Sequence, residues 1–260
     1  MKTTKIAYEL RGKIAERASI GLLALAEDAT VESEWRYLLE MSGVRFFASR
    51  VPCAPEISPS TLEAMRGDLT LSMQHLVPGT HLDVVAYACT SASLVIGEEA
   101  VAKAIQRARP SVPVTTPLTA MKAALNSMNA QSIVLLTPYV DDINQRLRAH
   151  FEQCGIVVKA MASFFNPHDP EVVRISDDSI ADAVAGLLRA EQVDAALVAC
   201  TSLAGSRAIA KLEARFGVMV TTSNHAMAWH ALRLAGVDDA IADKGRLFTL
   251  ADKTDLAECS

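Results

Sequence analysis

The chain has 260 residues, half of them apolar but only 5% aromatic, and a formal net charge of −5. That length buries a sizeable core in one large domain or two small ones, and the Ala/Val/Leu/Ile-rich composition excludes disordered and fibrous classes. Charges of both signs are interspersed with no basic block, so nucleic acid is not an expected partner.

Met1 to Arg17 alternates charged and small apolar residues and has no apolar core of signal-peptide length, so export is not expected. Beyond it, short apolar runs alternate with longer stretches of helical period, the pattern of a parallel sheet covered on both faces. In chain order the predicted strands are Ile20–Leu25, Val44–Arg50, Val84–Ala88, Val112–Thr115, Ile133–Thr137, Ile156–Met161, Ala195–Ala199 and Val218–Thr221. The predicted helices between them are Ser60–Leu76, Ser93–Arg107, Thr119–Met128, Ile143–Cys154, Asp178–Ala190, Ser202–Arg215 and Ala226–Leu234. The apolar runs stop well short of the ~18 residues that span a bilayer, which predicts a protein without a membrane partner. The five cysteines, Cys53, Cys89, Cys154, Cys200 and Cys259, contain no C-x-x-C pair. That argues against a disulfide framework and a zinc cluster and for a reducing cytoplasm.

The chain repeats itself. Leu82-Asp83-Val84-Val85-Ala86-Tyr87-Ala88-Cys89-Thr90-Ser91 aligns with Val193-Asp194-Ala195-Ala196-Leu197-Val198-Ala199-Cys200-Thr201-Ser202, and Val112 to Met121 aligns with Val218 to Met227. Two copies of one βα unit in the same order predict two similar half-sized domains facing each other across a cleft. Each Cys-Thr-Ser follows a strand and precedes a predicted helix, at the carboxyl end of a parallel sheet where α/β proteins place their ligands. A helix N-terminus there would lower a thiol pKa and hold a carboxylate, with the hydroxyls of Thr90, Ser91, Thr201 and Ser202 as further donors. A free cysteine is often just a small hydrophobe, but packing gives no reason for both halves to agree on one. Two opposed thiols can remove and return a proton, or attack a carbon, on opposite faces of a small substrate. No P-loop, G-x-G-x-x-G, H-E-x-x-H or G-x-S-x-G motif and no His pair at ligand spacing occurs, so neither a cofactor nor a metal is expected.

The pattern resembles the aspartate/glutamate racemase superfamily, within it the group of maleate cis-trans isomerase, arylmalonate decarboxylase and the ectoine-utilisation proteins. The residues that carry it are Tyr87 to Ser93 with Ile96-Gly97, then Leu136-Thr137-Pro138-Tyr139, Ala199-Cys200-Thr201, and Thr222-Ser223-Asn224 with Trp229. The resemblance implies two pseudo-symmetric flavodoxin-like domains, residues 18–117 with 228–260 and residues 118–227, and cofactor-independent catalysis between them. Cys89 and Cys200 match the two catalytic positions, which places the one-cysteine decarboxylase pattern second; Tyr139 and Asn224 match substrate-contacting positions. Where the isomerase pattern carries Asn, this chain has Asp28 and Asp169, with Asn166 nearby as the alternative to Asp169.

Asn donates to a carboxylate, whereas ionised Asp only accepts. The expected substrate is therefore a small carboxylate with a cationic or N–H-bearing group beside it, as in the ectoine branch, unless Asp28 is only a cap. The activity expected is that of an isomerase or racemase. The alternatives are a non-catalytic sensor on the same scaffold or an arylmalonate-type decarboxylase. The composition permits a homodimer. His225 is a candidate proton relay, Trp229, Met121 and Met227 read as core, and Cys53, Cys154 and Cys259 have no assigned role.

Overall fold

The computed structural model describes residues 1, 3–10 and 12–253; Cys259 lies outside them. Two four-stranded, all-parallel sheets form the core, with strand orders β2-β1-β3-β4 and β6-β5-β7-β8. The first sheet holds β1 (Ala18–Leu25), β2 (Val44–Val51), β3 (Val84–Ala88) and β4 (Val114–Thr115), and the second β5 (Ser132–Thr137), β6 (Val157–Ser163), β7 (Ala195–Val198) and β8 (Met219–Thr222). Renumbered within each half, both orders read 2-1-3-4, the flavodoxin-like order whose ligand crevice lies between the first and third strands. The predicted duplication is thus a duplication of topology, an α/β fold of two matching halves.

Burial follows position in the sheet. β1 and β3 are buried at every residue, whereas β2, at an edge, exposes Arg45, Ala48 and Arg50. Strands covered on both faces need unbroken apolar runs, whereas edge strands keep one wet face.

Eleven α-helices are described, and several depart from the predicted elements. α1 (Val31–Leu38) is absent from the expected elements, although Val31, Trp35 and Leu38 are spaced for one buried face. The predicted helix Ser60–Leu76 is broken at Gly67 into α2 (Pro59–Ala64) and α3 (Leu69–Gln74). The predicted Ser93–Arg107 is two helices, α4 (Thr90–Ile96) and α5 (Glu98–Gln106), because Gly97 takes φ +87, a conformation open to glycine and costly for other residues. Then come α6 (Pro117–Met128), α7 (Asp141–Gln153), the short α8 (Asp169–Val172), α9 (Asp177–Ala190), α10 (Ile209–Phe216) and α11 (Ser223–Leu234). The predicted helix Ser202–Arg215 starts late, since Cys200 to Gly205 is an irregular turn.

The halves pack closely, with α11 against α6, α1, β3 and β8, and α4 against α6 and α7. α11 is buried from Ser223 to Arg233 and touches both sheets; the expected division between residues 227 and 228 falls inside it. Met121, Met227 and Trp229 are fully buried, in line with their reading as core. Among the described residues no helix is long and apolar enough to cross a membrane.

Candidate active site

The candidate residues come from the carboxyl ends of the first and third strands of both sheets. Asp28 follows β1, Cys89 follows β3, Tyr139 follows β5 and Cys200 follows β7. Cys89, Thr90, Ser91, Tyr139, Asp169, Cys200, Thr201 and Ser202 line one nearly closed cavity of about 20 Å³, room for about one water. Both cysteines are buried, at 4% and 5% exposure.

The two thiols differ in their surroundings. Cys89 is the N-cap of α4, its Sγ accepting from Ala92 N at 3.4 Å and lying 3.7 Å from Ser91 Oγ. No helix follows Cys200; its carbonyl accepts a 3.4 Å bond from Leu203 N in a turn. Tyr139 hydroxyl stands beside the Cys200 sulfur and donates to its ionised form. The tyrosine is fixed from behind, since Asn144 Nδ2 and Ser163 Oγ donate to its carbonyl at 2.8 and 2.6 Å.

The expected depression of the thiol pKa does not occur. Burial pushes Cys89 up to about 12, against the opposing bonds from Ala92 and Ser91. Burial, then the nearby Asp169 charge, pushes Cys200 up as well. Desolvation outweighs the helix terminus at Cys89, and at Cys200 there is no helix terminus. Both thiols are neutral in the closed cavity.

The acids are in place. Asp169 accepts from Ser202 Oγ at 2.7 Å, and burial, with the charges of Asp28 and Glu27, pushes its carboxyl up to about 6. Asn166 is occupied elsewhere, donating to Glu171 and accepting from His168 N, and does not line the cavity. Asp28 Oδ1 caps α1, accepting from Thr30 N at 2.7 Å and Val31 N at 2.9 Å. Its Oδ2 is buried without a hydrogen-bond partner, because the neighbouring Thr201 hydroxyl donates to Ala88 O instead. Asp28 is therefore a cap with one oxygen to spare. It does not itself line the cavity. Among the described residues no Lys, Arg or His lines the cavity; Arg50 donates to the Leu25 and Asp28 carbonyls and pairs with Glu32.

Three expected roles need correction. The hydroxyls of Thr90 and Thr201 bond across the interface between the halves, to Ser223 Oγ at 2.8 Å and Ala88 O at 3.2 Å, and the Ser202 hydroxyl is held by Asp169. Of the four hydroxyls, Ser91 alone is turned to a thiol. Asn224 is fully buried behind the Cys200 turn and does not reach the cavity; its Nδ2 donates to Thr201 O at 2.8 Å and Glu34 at 3.1 Å. His225 is no proton relay. Its Nε2 donates to Lys244 O at 2.7 Å, its Nδ1 accepts from Thr221, and burial lowers its pKa to about 4.

Two titratable residues without an expected role also line the cavity, Cys53 and Glu56, both in the segment after β2. That segment crosses to the other half, with Ile57 N donating to Pro167 O at 2.9 Å and Asp169 N to Pro55 O at 3.1 Å. A loop from each half thus closes over the thiols. A proline-rich segment gives no pairing signal in sequence, which is why Cys53 reads there as a bystander.

Residues 41–248 match the family described as Amdase, arylmalonate decarboxylase. The chain belongs to this family. It is 31% identical over 172 residues to an arylmalonate decarboxylase of Bordetella bronchiseptica, covering 65% of this chain and 68% of that protein. It is 26% identical over 238 residues to a maleate isomerase of Nocardia farcinica, covering 88% and 94%. A solved structure of the maleate cis-trans isomerase from Nocardia farcinica, bound to TRIS, superposes with a TM-score of 0.81 at 25% identity, over 89% of this chain and 98% of that one.

Proposed function

We propose that the protein is a cofactor-independent isomerase or racemase, with Cys89 and Cys200 acting on opposite faces of one small carboxylate. One observation carries the reading: two buried thiols, each at the carboxyl end of the third strand of matching sheets, open into the same cavity. Relatives in the family include maleate isomerases and an arylmalonate decarboxylase, which supports chemistry at a carbon beside a carboxylate.

The finer reading concerns the substrate. The cavity wall holds two acids, Asp169 and Glu56, and no cation, and Asp28 keeps a buried unpartnered oxygen close behind it. We assign this side to a cationic or N–H-bearing group adjacent to the carboxylate, as in an amino acid or in a cyclic amidine of the ectoine or hydroxyectoine type. Such a group also supplies what the thiols lack. Ionised Asp169 opposes ionisation of both sulfurs, and a cation beside it cancels that opposition. Substrate binding then lowers the thiol pKa, and catalysis waits for substrate.

In a racemisation one cysteine thiolate takes the α-proton while the other thiol gives its proton to the opposite face, and the two exchange protonation states. The Ser91 and Tyr139 hydroxyls are the donors turned toward the sulfurs, suited to the enolate-like oxygen. With a cis-alkene dicarboxylate, Cys89 would instead add to the double bond, and rotation and elimination would regenerate its thiolate and release the trans product. In either case the space present, about 20 Å³, holds about one water, so a substrate requires the cavity to widen.

The test is turnover and thiol protection by a panel of maleate, aspartate, hydantoins, ectoine and hydroxyectoine. A cationic member that is converted, and that shields both Cys89 and Cys200 from alkylation, supports the assignment. Efficient turnover of maleate alone, lost with either Cys→Ala substitution, refutes the cationic substrate. Tight binding with no turnover and unreactive thiols favours a sensor.

A further inference from the structure

Glu34 belongs to no catalytic pattern, yet it is a buried carboxylate at the junction of the two halves. It sits on α1 at 7% exposure and accepts from Ser206 N at 2.9 Å, Ser206 Oγ at 2.7 Å and Asn224 Nδ2 at 3.1 Å. Among the described residues no Lys, Arg or His pairs with it. A buried charge without a counter-charge is expensive, and hydrogen bonds must stabilise it. Its partners all belong to the second half, around the turn that follows Cys200.

That turn needs holding. Cys89 is followed at once by α4, whose ladder fixes it through Ser93 N to Cys89 O at 3.1 Å. After Cys200 no helix begins until Ile209, beyond a short 3₁₀ turn at Ser206–Ala208. The intervening peptides are held from the first half. Thr30 Oγ1 donates to Ser202 O at 3.0 Å and Glu34 accepts from Ser206 N, while Trp35 Nε1 fixes the start of α11 by donating to Asn224 O at 3.2 Å. The second amide hydrogen of Asn224 goes to Thr201 O at 2.8 Å, and the Thr201 hydroxyl to Ala88 O, the carbonyl that leads into Cys89. Gly205 is pressed onto β8, where an added Cβ would stand 3.0 Å from Thr222 Cγ2.

We propose that Glu34 is a positioning residue for Cys200, acting through Asn224 and Thr201 to hold the second thiol in register with the first. The helix that holds Cys89 has no counterpart after Cys200, and the carboxylate on α1 takes its place. This rests on Cys200 taking part in the chemistry, but its test does not require turnover.

The experiment measures, for each cysteine separately, the pH dependence of alkylation by iodoacetamide, read by peptide mass spectrometry on the whole protein. Glu34→Gln turns an N–H₂ group toward donors that the carboxylate now satisfies. It is expected to raise the Cys200 rate at pH 8 by about tenfold, as the loosened turn admits water and the thiol pKa falls, with Cys89 changed less than about twofold. Asn224→Ala removes the link between Glu34 and Thr201 O while Ser206 N and Oγ still donate to Glu34, and is expected to give the same selective change. Ser206→Ala, which leaves the Asn224 arm intact, is expected to leave the Cys200 profile near that of the unaltered protein. Equal acceleration of both cysteines would mean general loosening, and no change at Cys200 would mean that Glu34 only joins the halves; either result overturns the proposal. If no substrate is turned over but Cys200 responds selectively, the positioning role stands and the catalytic reading falls.

Discussion

Replacing Asp169 by Asn removes one negative charge from the wall shared by both thiols and keeps the Oδ1 atom that accepts the 2.7 Å bond from Ser202. Asp169 is the largest charge effect raising the Cys200 pKa, after burial itself, and a smaller one at Cys89, where hydrogen bonds from Ala92 and Ser91 rank above it. A like charge at close range shifts a pKa by ~1–3 units. We therefore expect Asp169→Asn to lower the Cys200 pKa by about two units and that of Cys89 by less than one. At pH 8 two units mean ~100-fold more thiolate, and the lower intrinsic nucleophilicity of the weaker base takes back about a factor of ten. The net expectation is about tenfold faster alkylation of Cys200 in the ligand-free protein, read by peptide mass spectrometry. The same loop covers both forms, so access is common to them. An Asn variant that reacts at the original rate, or more slowly, refutes the electrostatic coupling and with it the idea that substrate charge activates the thiols.

The same variant has a stability signature. The carboxyl of Asp169 is raised from about 3.8 to about 6, so the folded state binds its proton more tightly, and stability falls as pH rises from about 4 to about 6. The cost above pH 6 is about 3 kcal/mol, so Asp169→Asn should melt roughly 5–10 °C higher at pH 8 and show no gain at pH 4; a gain equal at both pH values would point to another cause. Cys53 lines the cavity and is more exposed than the paired thiols, whereas Cys154, at the end of α7, is outside it. A substrate that enters should protect Cys53 from N-ethylmaleimide and leave Cys154 unprotected, and the reverse would place the ligand elsewhere. Gly97→Ala should cost about 1–3 kcal/mol in denaturant unfolding, since φ +87 with ψ 136 is a glycine conformation although the space beside it is open; a neutral result would mean that α4 and α5 merge when Ala is present.

Much of this architecture is legible in the sequence because duplication amplifies weak signals. A single Cys-Thr-Ser after an apolar run says little, but two of them in the same order located both strand ends and the cavity between them. Strands buried on both faces, such as β3 and β7, announce themselves as unbroken apolar runs. What stayed hidden depends on the third dimension. Asp28 caps α1 with one oxygen and spares the other, a division that no residue type reveals. In sequence the hydroxyls of Thr90 and Thr201 look like ligands for substrate, yet each bonds across an interface that only the packed halves create. The repeat misled once: it implied a helix after Cys200 like the one after Cys89, where the chain instead forms a turn held by Glu34. α1 could have been found, since Val31, Trp35 and Leu38 share a helix face.

Solvent-deuterium incorporation shows whether both thiols serve one reaction on one substrate. With a racemised member of the panel in deuterium oxide, the protein should place deuterium on the carbon beside the carboxylate of the inverted product. Cys89→Ala and Cys200→Ala should each abolish that product, while either thiol left alone washes in label from at most one face. Product formation that survives in either single-cysteine variant would mean that one thiol suffices and that the pair does not serve one reaction.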